Sequence, residues 1–263
     1  MFRLYALKYA ELNGRKRADV FLTADPHEGD IDMAYFIWVA VGEDGRAIVI
    51  DTGFTPETAT KRGRVFLEHP NDLFSRIGVD PVAVEDVIVT HLHYDHAGNF
   101  SLFPNARFHL QDDEMAFATG RDMGHAAIRA PFEVEDVVEM VRAVYGERVV
   151  FHDGDAALMP GIELFKVGGH SRGLQFVRVA TARGPVVVAS DAAHYYESFE
   201  RDRLFGIVDH VGAMAAGFRR VREIGGDAAR IVPGHDPEVL LRYPAPREAD
   251  RGRVAALHLP PSR

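Results

Sequence analysis

The chain has 263 residues, of which 47% are hydrophobic and 26% are charged, so it is long enough to bury a large core. Its formal net charge of −9 argues against a nucleic-acid-binding protein, because phosphate binding needs a basic surface. It contains no cysteine, which excludes disulfides, thiolate nucleophiles and cysteine-ligated metal ions, so any metal must be held by histidine and carboxylate side chains.

Apolar patterns along the chain predict many short strands, separated by turns that contain glycine and proline. The predicted strands cover residues 2–9, 33–41, 47–51, 86–90, 106–110, 149–152, 163–167, 175–180, 186–190 and 231–232. Apolar residues at three- and four-residue spacing predict helices over 111–119, 135–145 and 212–224. Strand clusters followed by helix in both halves favour a layered α/β or α+β domain with two central sheets. Residues 120–132 follow neither period and are predicted to form a mobile loop or lid.

The N-terminal segment, MFRLYALKY, mixes charged residues into an apolar alternation and lacks the features of a secretory signal. The longest clearly apolar run covers residues 33–41 and is too short to cross a bilayer. We therefore expect a cytoplasmic protein that does not bind membranes.

The most informative stretch is HLHYDH, which follows the predicted strand 86–90 and contains His91, His93, Asp95 and His96. In an extended segment His91 and His93 point the same way, so both imidazoles can reach one metal ion. The chain must then turn, which allows Asp95 and His96 to face a second ion beside the first. Random placement would give this pattern at a given position with a probability on the order of 10⁻⁵. The stretch therefore indicates a metal site rather than incidental histidines.

Four liganding groups cannot fill two metal sites, so further donors are expected downstream. Three stand where an apolar strand ends: His170 after a glycine turn, Asp191 after strand 186–190, and His235 after Pro-Gly. A carboxylate between two cations can bridge them, and we expect Asp191 to have this role.

The order of these motifs, HLHYDH, GGH, SDA and PGH, resembles the metallo-β-lactamase superfamily, and the resemblance spans residues 33–235. Asp-Thr-Gly at 51–53 is similar to that family's early turn, which supports the metal loop from behind. The resemblance implies a four-layer αββα sandwich, formed by residues 1–263 as a single domain. It also implies a ligand set in which His91, His93 and His170 bind one ion, Asp95, His96 and His235 bind the other, and Asp191 bridges them.

Within the superfamily the chain resembles the N-acyl-homoserine lactonases in its length, in the long segment before His170 and in Ser-Asp-Ala-Ala at 190–193. The lack of cysteine argues against the commonest class B β-lactamases, and His93 argues against the di-iron flavoproteins, which have Glu there. A glyoxalase II-like thioesterase, or another ester hydrolase of the superfamily, is the alternative. A metal-binding protein without hydrolytic activity is a third hypothesis, from a different functional class.

One position departs from the lactonases, which commonly have a tyrosine three residues after the bridging aspartate. His194 stands there, followed by Tyr195 and Tyr196. Either His194 contacts the substrate carbonyl, or a neighbouring tyrosine does, or the substrate differs. His194 is equally suited to supporting a metal ligand.

The resemblance implies a quorum-quenching hydrolase that opens lactone rings by attack of a hydroxide bridging two divalent cations. Asp95 could pass a proton to the leaving alkoxide. Zinc is the expected metal, although manganese, iron and cobalt suit the same donors. The expected partner is a small-molecule lactone or ester, with no nucleic acid and no membrane, and we expect a monomer or a homodimer.

Overall fold

Apolar strands form the centre of the molecule. The computed structural model describes residues 1–262; Arg263, the last residue of the predicted domain, lies outside the described residues. The strands are β1 (Phe2–Lys16), β2 (Asp30–Gly42), β3 (Ala47–Ile50), β4 (Val65–Phe66), β5 (Asp86–Ile88), β6 (Arg107–Gln111), β7 (Val149–His152), β8 (Ala156–Met159), β9 (Ile162–Lys166), β10 (Gln175–Thr181), β11 (Gly184–Ser190), β12 (Ile231–Pro233) and β13 (Val254–Ala256).

Helices connect these strands and pack against them. The α-helices are α1 (Arg17–Val20), α2 (Pro56–Arg62), α3 (Pro70–Arg76), α4 (Tyr94–Ala97), α5 (Asp112–Ala118), α6 (Ala126–Arg129), α7 (Val134–Tyr145), α8 (Tyr196–Glu200), α9 (Val211–Gly225) and α10 (Val239–Arg242). Short 3₁₀ helices cover Pro81–Ala83, Phe100–Leu102, Arg121–Gly124, Ala228–Arg230 and Glu248–Asp250. Among residues 1–262, none of the helices has the length and apolar character needed to span a bilayer.

Strand β1 joins the two halves of the molecule. The hydrogen-bonded order is β12-β11-β10-β1-β2-β3-β5-β6-β7, with β4 and β13 also on β1, β9 on β10, and β8 on β9. β1 pairs antiparallel with β2 along its length, and its first residue, Phe2, pairs with Thr181 of β10. Register shifts after Lys8 and after Leu12 interrupt the pairing with β2. Because such irregularities bend a strand, one long strand can contribute to both halves.

Strand β2 is buried on both faces, which explains its continuous apolar sequence. Every residue from 33 to 42 is buried, including the side chain of Trp38. A strand exposed on one face would alternate apolar and polar residues, whereas one covered on both faces needs apolar residues throughout. The pattern agrees with a layered sandwich in which β2 lies near the middle.

Two sets of parallel strands direct their carboxyl ends toward one region. β3 pairs parallel with β5, β5 pairs parallel with β6, and β11 pairs parallel with β12. Asp51 follows β3, His91 lies shortly after β5, and Asp191 follows β11. Neighbouring parallel strands end at the same edge of a sheet, so the loops that follow them are brought close together.

The predicted elements agree with the structure in most places. All ten predicted strands are present, although β1 and β2 extend further than predicted. Strands β4, β8 and β13 were not predicted, because they have only two to four residues each and so show no clear period. The three predicted helices correspond to α5, α7 and α9. The segment 120–132 contains a 3₁₀ helix and α6, and its role as a lid stays a prediction.

A carboxyl group without a partner lies in the first turn of α7. Asp136 Oδ2 is buried and has no hydrogen-bond partner among residues 1–262. Burial, together with the charges of Glu133 and Glu139, raises the pKa of Asp136 to about 7. The folded protein therefore holds a proton at pH values where the unfolded chain, with an Asp pKa of about 3.9, has released it.

This raised pKa predicts a fold that loses stability as pH rises from about 4 to about 7, with no further loss from Asp136 above that range. Asp136→Asn should remove this dependence and raise the free energy of unfolding at pH 8 by about 1 kcal/mol or more. Urea unfolding at pH 5 and pH 8 measures the change, with the exposed Asp153→Asn as the matched control. Identical pH dependence in the wild type and Asp136→Asn would contradict the assignment.

Candidate metal centre

Loops after β5, β9, β11 and β12 meet at one edge of the sheets and carry the predicted ligands. Although their side chains are polar, each of these residues is at most 9% exposed. The buried set comprises His91, His93, Asp95, His96, His170, Asp191 and His235. The structure thus brings together all seven residues that the sequence analysis placed at a metal site.

Glycine allows close packing behind the loop that presents His170. Gly169 has a φ of +91°, and a Cβ there would lie 2.5 Å from the backbone nitrogen of Met214 in α9. No larger residue fits this approach or adopts this φ readily. The GGH motif is therefore explained by the contact between this loop and α9.

Three imidazoles form the first group of ligand atoms. One nitrogen atom from each of His91, His93 and His170 lies within 4.8 Å of the others. His93 Nδ1 and His170 Nε2 are 2.9 Å apart. Burial, and then the neighbouring imidazoles, hold the pKa of both His91 and His93 well below the ordinary value. Both rings are thus kept in the neutral form, which is the form that binds metal ions.

One carboxylate and two imidazoles form the second group. Ligand atoms of Asp95, His96 and His235 lie within 4.8 Å of one another. Asp95 Oδ2 is 3.7 Å from His96 Nε2 and 3.7 Å from His235 Nε2. Mixed imidazole and carboxylate donors are typical of sites for zinc and related divalent cations.

Asp191 lies between the two groups. Its Oδ1 is 3.3 Å from His96 Nε2 and 3.0 Å from His235 Nε2. Its Oδ2 is 3.1 Å from His170 Nε2 and 3.8 Å from His91 Nε2. Burial alone would raise the pKa of Asp191, but the surrounding imidazoles hold it well below the usual range. Each oxygen of an ionised carboxylate therefore faces one group of ligand atoms.

Unpartnered polar atoms mark the centre of this cluster. His91 Nε2, His96 Nε2 and Asp191 Oδ1 are buried and have no hydrogen-bond partner among residues 1–262. A buried polar atom without a partner costs about 1–3 kcal/mol, so three in one place require a compensating ligand. Imidazole nitrogen and carboxylate oxygen atoms suit divalent cations such as zinc, manganese, iron or cobalt. The residues present therefore fit the metal that the sequence analysis expects.

Hydrogen bonds on the far side of two rings fix their tautomers. His170 Nδ1 donates to the carbonyl oxygen of Ile207 at 2.7 Å, and His235 Nδ1 donates to that of Ala34 at 2.9 Å. A neutral ring that donates from Nδ1 keeps the lone pair on Nε2. In both residues Nε2 is the atom that faces Asp191, so the lone pairs point into the cluster.

Asp51 connects the loops from behind. Its Oδ1 accepts the Thr90 backbone N–H at 2.7 Å, and its Oδ2 accepts the Thr90 hydroxyl at 2.8 Å. Oδ2 also accepts from His96 Nδ1 at 2.8 Å and from the Ser190 hydroxyl at 3.2 Å. One buried carboxylate thus orients His96 and ties the strand ends before His91 and Asp191 together.

Glu114 has a similar connecting role that sequence reasoning missed. Its buried carboxyl group accepts the backbone N–H of Leu92 and of Gly173, both at 2.9 Å. The Ser171 hydroxyl donates to the same group at 2.6 Å. Glu114 therefore links the loop of His91 to the loop of His170. It lies on α5, outside every motif, so the sequence carried no signal for it.

A cavity of 460 Å³ opens onto the ligand cluster. Asp95, His170, Asp191, His194 and His235 form part of its wall. The remaining wall combines aromatic, apolar and cationic side chains, including Arg15, Tyr35, Arg62, Arg64, Tyr94, Phe117, Ile128 and Pro131. The last two belong to the predicted lid. The arginines and Tyr35 were not predicted as site residues, because they lie in elements far from the ligand motifs in the sequence.

His194 contacts Asp191 of the ligand cluster. Its Nε2 is 2.8 Å from Asp191 Oδ2, and its ring stacks on Phe205 with the ring centroids 3.6 Å apart. Burial lowers the pKa of His194 to about 3, so the ring is neutral. A neutral ring that donates its proton from Nε2 to Asp191 has only a lone pair on Nδ1. The geometry favours support of Asp191 over donation to a substrate oxygen.

Tyr195 and Tyr196 do not line the cavity. Tyr195 packs on Phe21 with ring centroids 5.7 Å apart, and Tyr196 lies under the guanidinium group of Arg242 at 3.5 Å. Both hydroxyl groups are buried without a hydrogen-bond partner among residues 1–262. The structure therefore does not bring these two candidate catalytic residues to the site, because the chain turns into α8 immediately after His194.

The chain matches known proteins over most of its length. The sequence model of the Metallo-beta-lactamase superfamily matches residues 30–235. An N-acyl homoserine lactonase from Bacillus sp is 26% identical over 225 residues, which covers 79% of this chain and 83% of that protein. N-acyl homoserine lactonase AttM from Rhizobium johnstonii is 30% identical over 173 residues, which covers 63% of each chain.

Solved structures agree in fold. A quorum-quenching N-acyl homoserine lactone lactonase superposes with a TM-score of 0.73 at 22% identity, covering 89% of this chain and 92% of that one. AidC, a dizinc quorum-quenching lactonase in complex with a product, superposes with a TM-score of 0.71 at 17% identity, covering 89% and 87%. The αββα sandwich expected from the motifs is confirmed.

The contacts of Asp51 predict a specific defect. Asp51→Ala should weaken metal binding about 10- to 100-fold, because His96 loses the group that orients it. It should also lower the free energy of unfolding by about 2–4 kcal/mol, since it leaves buried donors on Thr90 and His96 unpaired. Metal content after dialysis against a metal buffer, together with urea unfolding, measures both effects. The exposed Asp153→Ala is the control, and full metal content in Asp51→Ala would refute the role.

Proposed function

Because the chain belongs to the metallo-beta-lactamase superfamily, we propose that this metal-dependent hydrolase opens lactone rings, with N-acyl-homoserine lactones as the first substrates to test. The observation that carries the proposal is the position of Asp191, with one oxygen facing each group of ligand atoms. That arrangement suits two cations held side by side. The choice of a lactone rests on the relatives, which are N-acyl homoserine lactonases.

In the proposed centre each group of ligand atoms would hold one divalent cation, and Asp191 would be available to both. The proposed ligands are His91, His93 and His170 for one ion and Asp95, His96 and His235 for the other. Zinc is our first choice, since imidazole and carboxylate are its common donors when no thiolate is present. Manganese, iron and cobalt accept the same donors.

Other residues of the chain have the remaining roles in the proposed reaction. Bound divalent cations supply Lewis acidity, which makes water nucleophilic near neutral pH and polarises an ester carbonyl. Asp95 lines the cavity with its side chain 11% exposed, so we assign it the transfer of a proton to the leaving alkoxide. His194 donates to Asp191 Oδ2 and keeps that carboxylate in place.

An ordered chain of hydrogen bonds presents an O–H donor to the cavity. Arg64 Nε can only donate, and it donates to the Tyr94 hydroxyl oxygen at 3.0 Å. Tyr94 in turn donates to the Tyr35 hydroxyl oxygen at 3.3 Å. The Tyr35 proton has no acceptor among residues 1–262, and burial raises the pKa of Tyr35 to about 12, so the proton is retained. We assign Tyr35 the donation of a hydrogen bond to the substrate carbonyl oxygen as negative charge develops.

The Tyr35 assignment predicts a loss of rate rather than of affinity. Tyr35→Phe should lower kcat by about 10- to 100-fold with little change in KM, because the donor acts most strongly on the developing oxyanion. Steady-state kinetics on metal-loaded protein measure this change, and Tyr145→Phe is the control because Tyr145 is 88% exposed. An unchanged kcat in Tyr35→Phe would rule out the role.

The proposed lactone hydrolysis is tested by measuring activity on a panel of substrates. Metal-loaded protein should hydrolyse N-acyl-homoserine lactones or simple γ-lactones, lose this activity after chelation, and regain it when a divalent metal is restored. A pH-stat assay over a panel of lactones, thioesters and β-lactams follows the released acid, and elemental analysis confirms metal content. Thioester cleavage without lactone turnover would favour a glyoxalase II-like thioesterase. Fully loaded protein that is inactive on every compound would favour a non-catalytic metal-binding protein.

We further propose that residues 1–263 act as one domain in which 120–132 covers the substrate. Ile128 and Pro131 of this segment line the cavity together with Phe117 of α5. Their apolar surface suits the acyl part of a small lactone or ester.

A further inference from the structure

Three arginines line the cavity that holds the ligand cluster: Arg15 at the end of β1, Arg62 at the end of α2, and Arg64 just after it. This is unexpected in a chain with a net charge of −9. A guanidinium group is always charged, so each one in a cavity wall must be paired with a carboxylate or be available to a ligand.

Arg62 is fully engaged within the protein. Its Nε donates to Glu133 at 2.8 Å, and its two terminal nitrogens donate to the carbonyl oxygens of Ala130 and Phe132, both at 3.0 Å. These contacts fasten the end of the segment 120–132 to α2. Arg62 therefore has a structural role that needs no ligand.

Arg15 and Arg64 are different. Both are half-buried, and neither has a carboxylate within 4.0 Å among residues 1–262. Arg64 donates from Nε to Tyr94 and from Nη1 to the carbonyl oxygen of Arg62 at 2.6 Å. Arg15 donates only from Nη2, to the carbonyl oxygen of Asp19 at 3.3 Å. Nη2 of Arg64, and Nε and Nη1 of Arg15, have no acceptor within the described chain.

Arg64 is linked to the Tyr35 hydroxyl by hydrogen bonds through Tyr94, and Arg15 lines the same cavity as Tyr35. Burial and then Asp95 raise the pKa of Tyr35, while the charges of Arg64 and, more weakly, Arg15 lower it. Tyr35 itself packs against His235, with ring centroids 5.3 Å apart. The two guanidinium groups thus line one cavity together with the predicted ligands Asp95 and His235.

We propose that the substrate carries a carboxylate group, which Arg15 and Arg64 bind while the ring to be opened lies at the ligand cluster. This inference rests on the proposed lactonase function and narrows its substrate class from neutral acyl lactones to anionic ones. Guanidinium groups match the two oxygens of a carboxylate in both charge and geometry. A cavity of 460 Å³ has room for a lactone ring and a short acidic side chain.

A matched pair of substrates tests the inference. N-succinyl-homoserine lactone ends in a carboxylate, and N-succinamoyl-homoserine lactone has a neutral amide at the same position. Metal-loaded protein should show a kcat/KM about tenfold higher for the carboxylate, mainly through a lower KM, which corresponds to about 1.4 kcal/mol. The preference should fall as ionic strength rises.

Charge removal should abolish this preference. In Arg15→Met and Arg64→Met the ratio of the two kcat/KM values should fall toward one, while Arg64→Lys should keep part of it. The ratio is the readout rather than the absolute rate, because Arg64 also contacts Tyr94. Arg219→Met is the matched control, since Arg219 is exposed and does not line the cavity. Circular dichroism confirms that each variant is folded.

Binding measurements test the preference for a carboxylate independently of the proposed lactone hydrolysis. The γ-lactam analogues of the two lactones resist hydrolysis, so their affinity for metal-loaded protein can be measured by calorimetry whether or not lactones are opened. Tighter binding of the carboxylate form in the wild type, lost in Arg15→Met and Arg64→Met, supports the inference. Equal affinity for the two lactams, or no binding of the carboxylate form, overturns it. Failure to open either lactone would instead overturn the proposed function.

Discussion

The cost of burying polar groups is the constraint on which the rest of the structure depends. Five imidazoles and two carboxylates lie together with almost no exposure to water, and several of their lone pairs have no partner among residues 1–262. Each charge and each unpaired atom in such a place raises the free energy of the folded state. Bound divalent cations would reduce both penalties, because the imidazoles and the carboxylates of Asp95 and Asp191 would be their ligands. Metal binding would therefore stabilise the fold.

Backbone strain at two strand ends follows from the same constraint. Asp51 has a φ of 62° and Ser190 has a φ of 45°, a region that non-glycine residues rarely adopt. The two residues hydrogen-bond each other, and each directly precedes or supports a loop that carries ligands. Strained residues persist where surrounding contacts fix them, and they concentrate at functional sites. Here the strain turns the chain sharply at the ends of β3 and β11, so that Asp191 can enter the space between the imidazoles.

The structure brings the seven predicted ligand residues together, and the sequence could anticipate this because their motifs stand directly after strands. His91, Asp191 and His235 could be placed from local pattern alone, since parallel strands end together. Residues that act through tertiary contacts carried no such signal: Glu114 lies mid-chain on α5, and Tyr35 lies inside an apolar run that reads as core. Tyr195 and Tyr196 stand one and two residues after the position of the lactonase tyrosine, but a helix that starts there turns them into the protein interior. Local sequence spacing indicates which residues follow a strand. It does not indicate which residues from other parts of the chain line the cavity.

The predicted metal ligands and the wall of the cavity come from different segments of the chain, which has a consequence for substrate specificity. The ligands lie on strand ends fixed by Asp51 and Glu114, whereas the wall comes from the end of β1, the segment after α2 and the loop around α6. Changes in these segments alter what the cavity accepts without disturbing the ligand cluster, because loops tolerate substitution better than the elements they connect. A protein with the ligand motif of a lactonase can thus differ from lactonases in the donor that faces the carbonyl and in the charge that its wall presents. In this chain the wall presents Tyr35, which we propose as the donor in place of a tyrosine three residues after Asp191, and the guanidinium groups of Arg15 and Arg64, which have no carboxylate partner among residues 1–262.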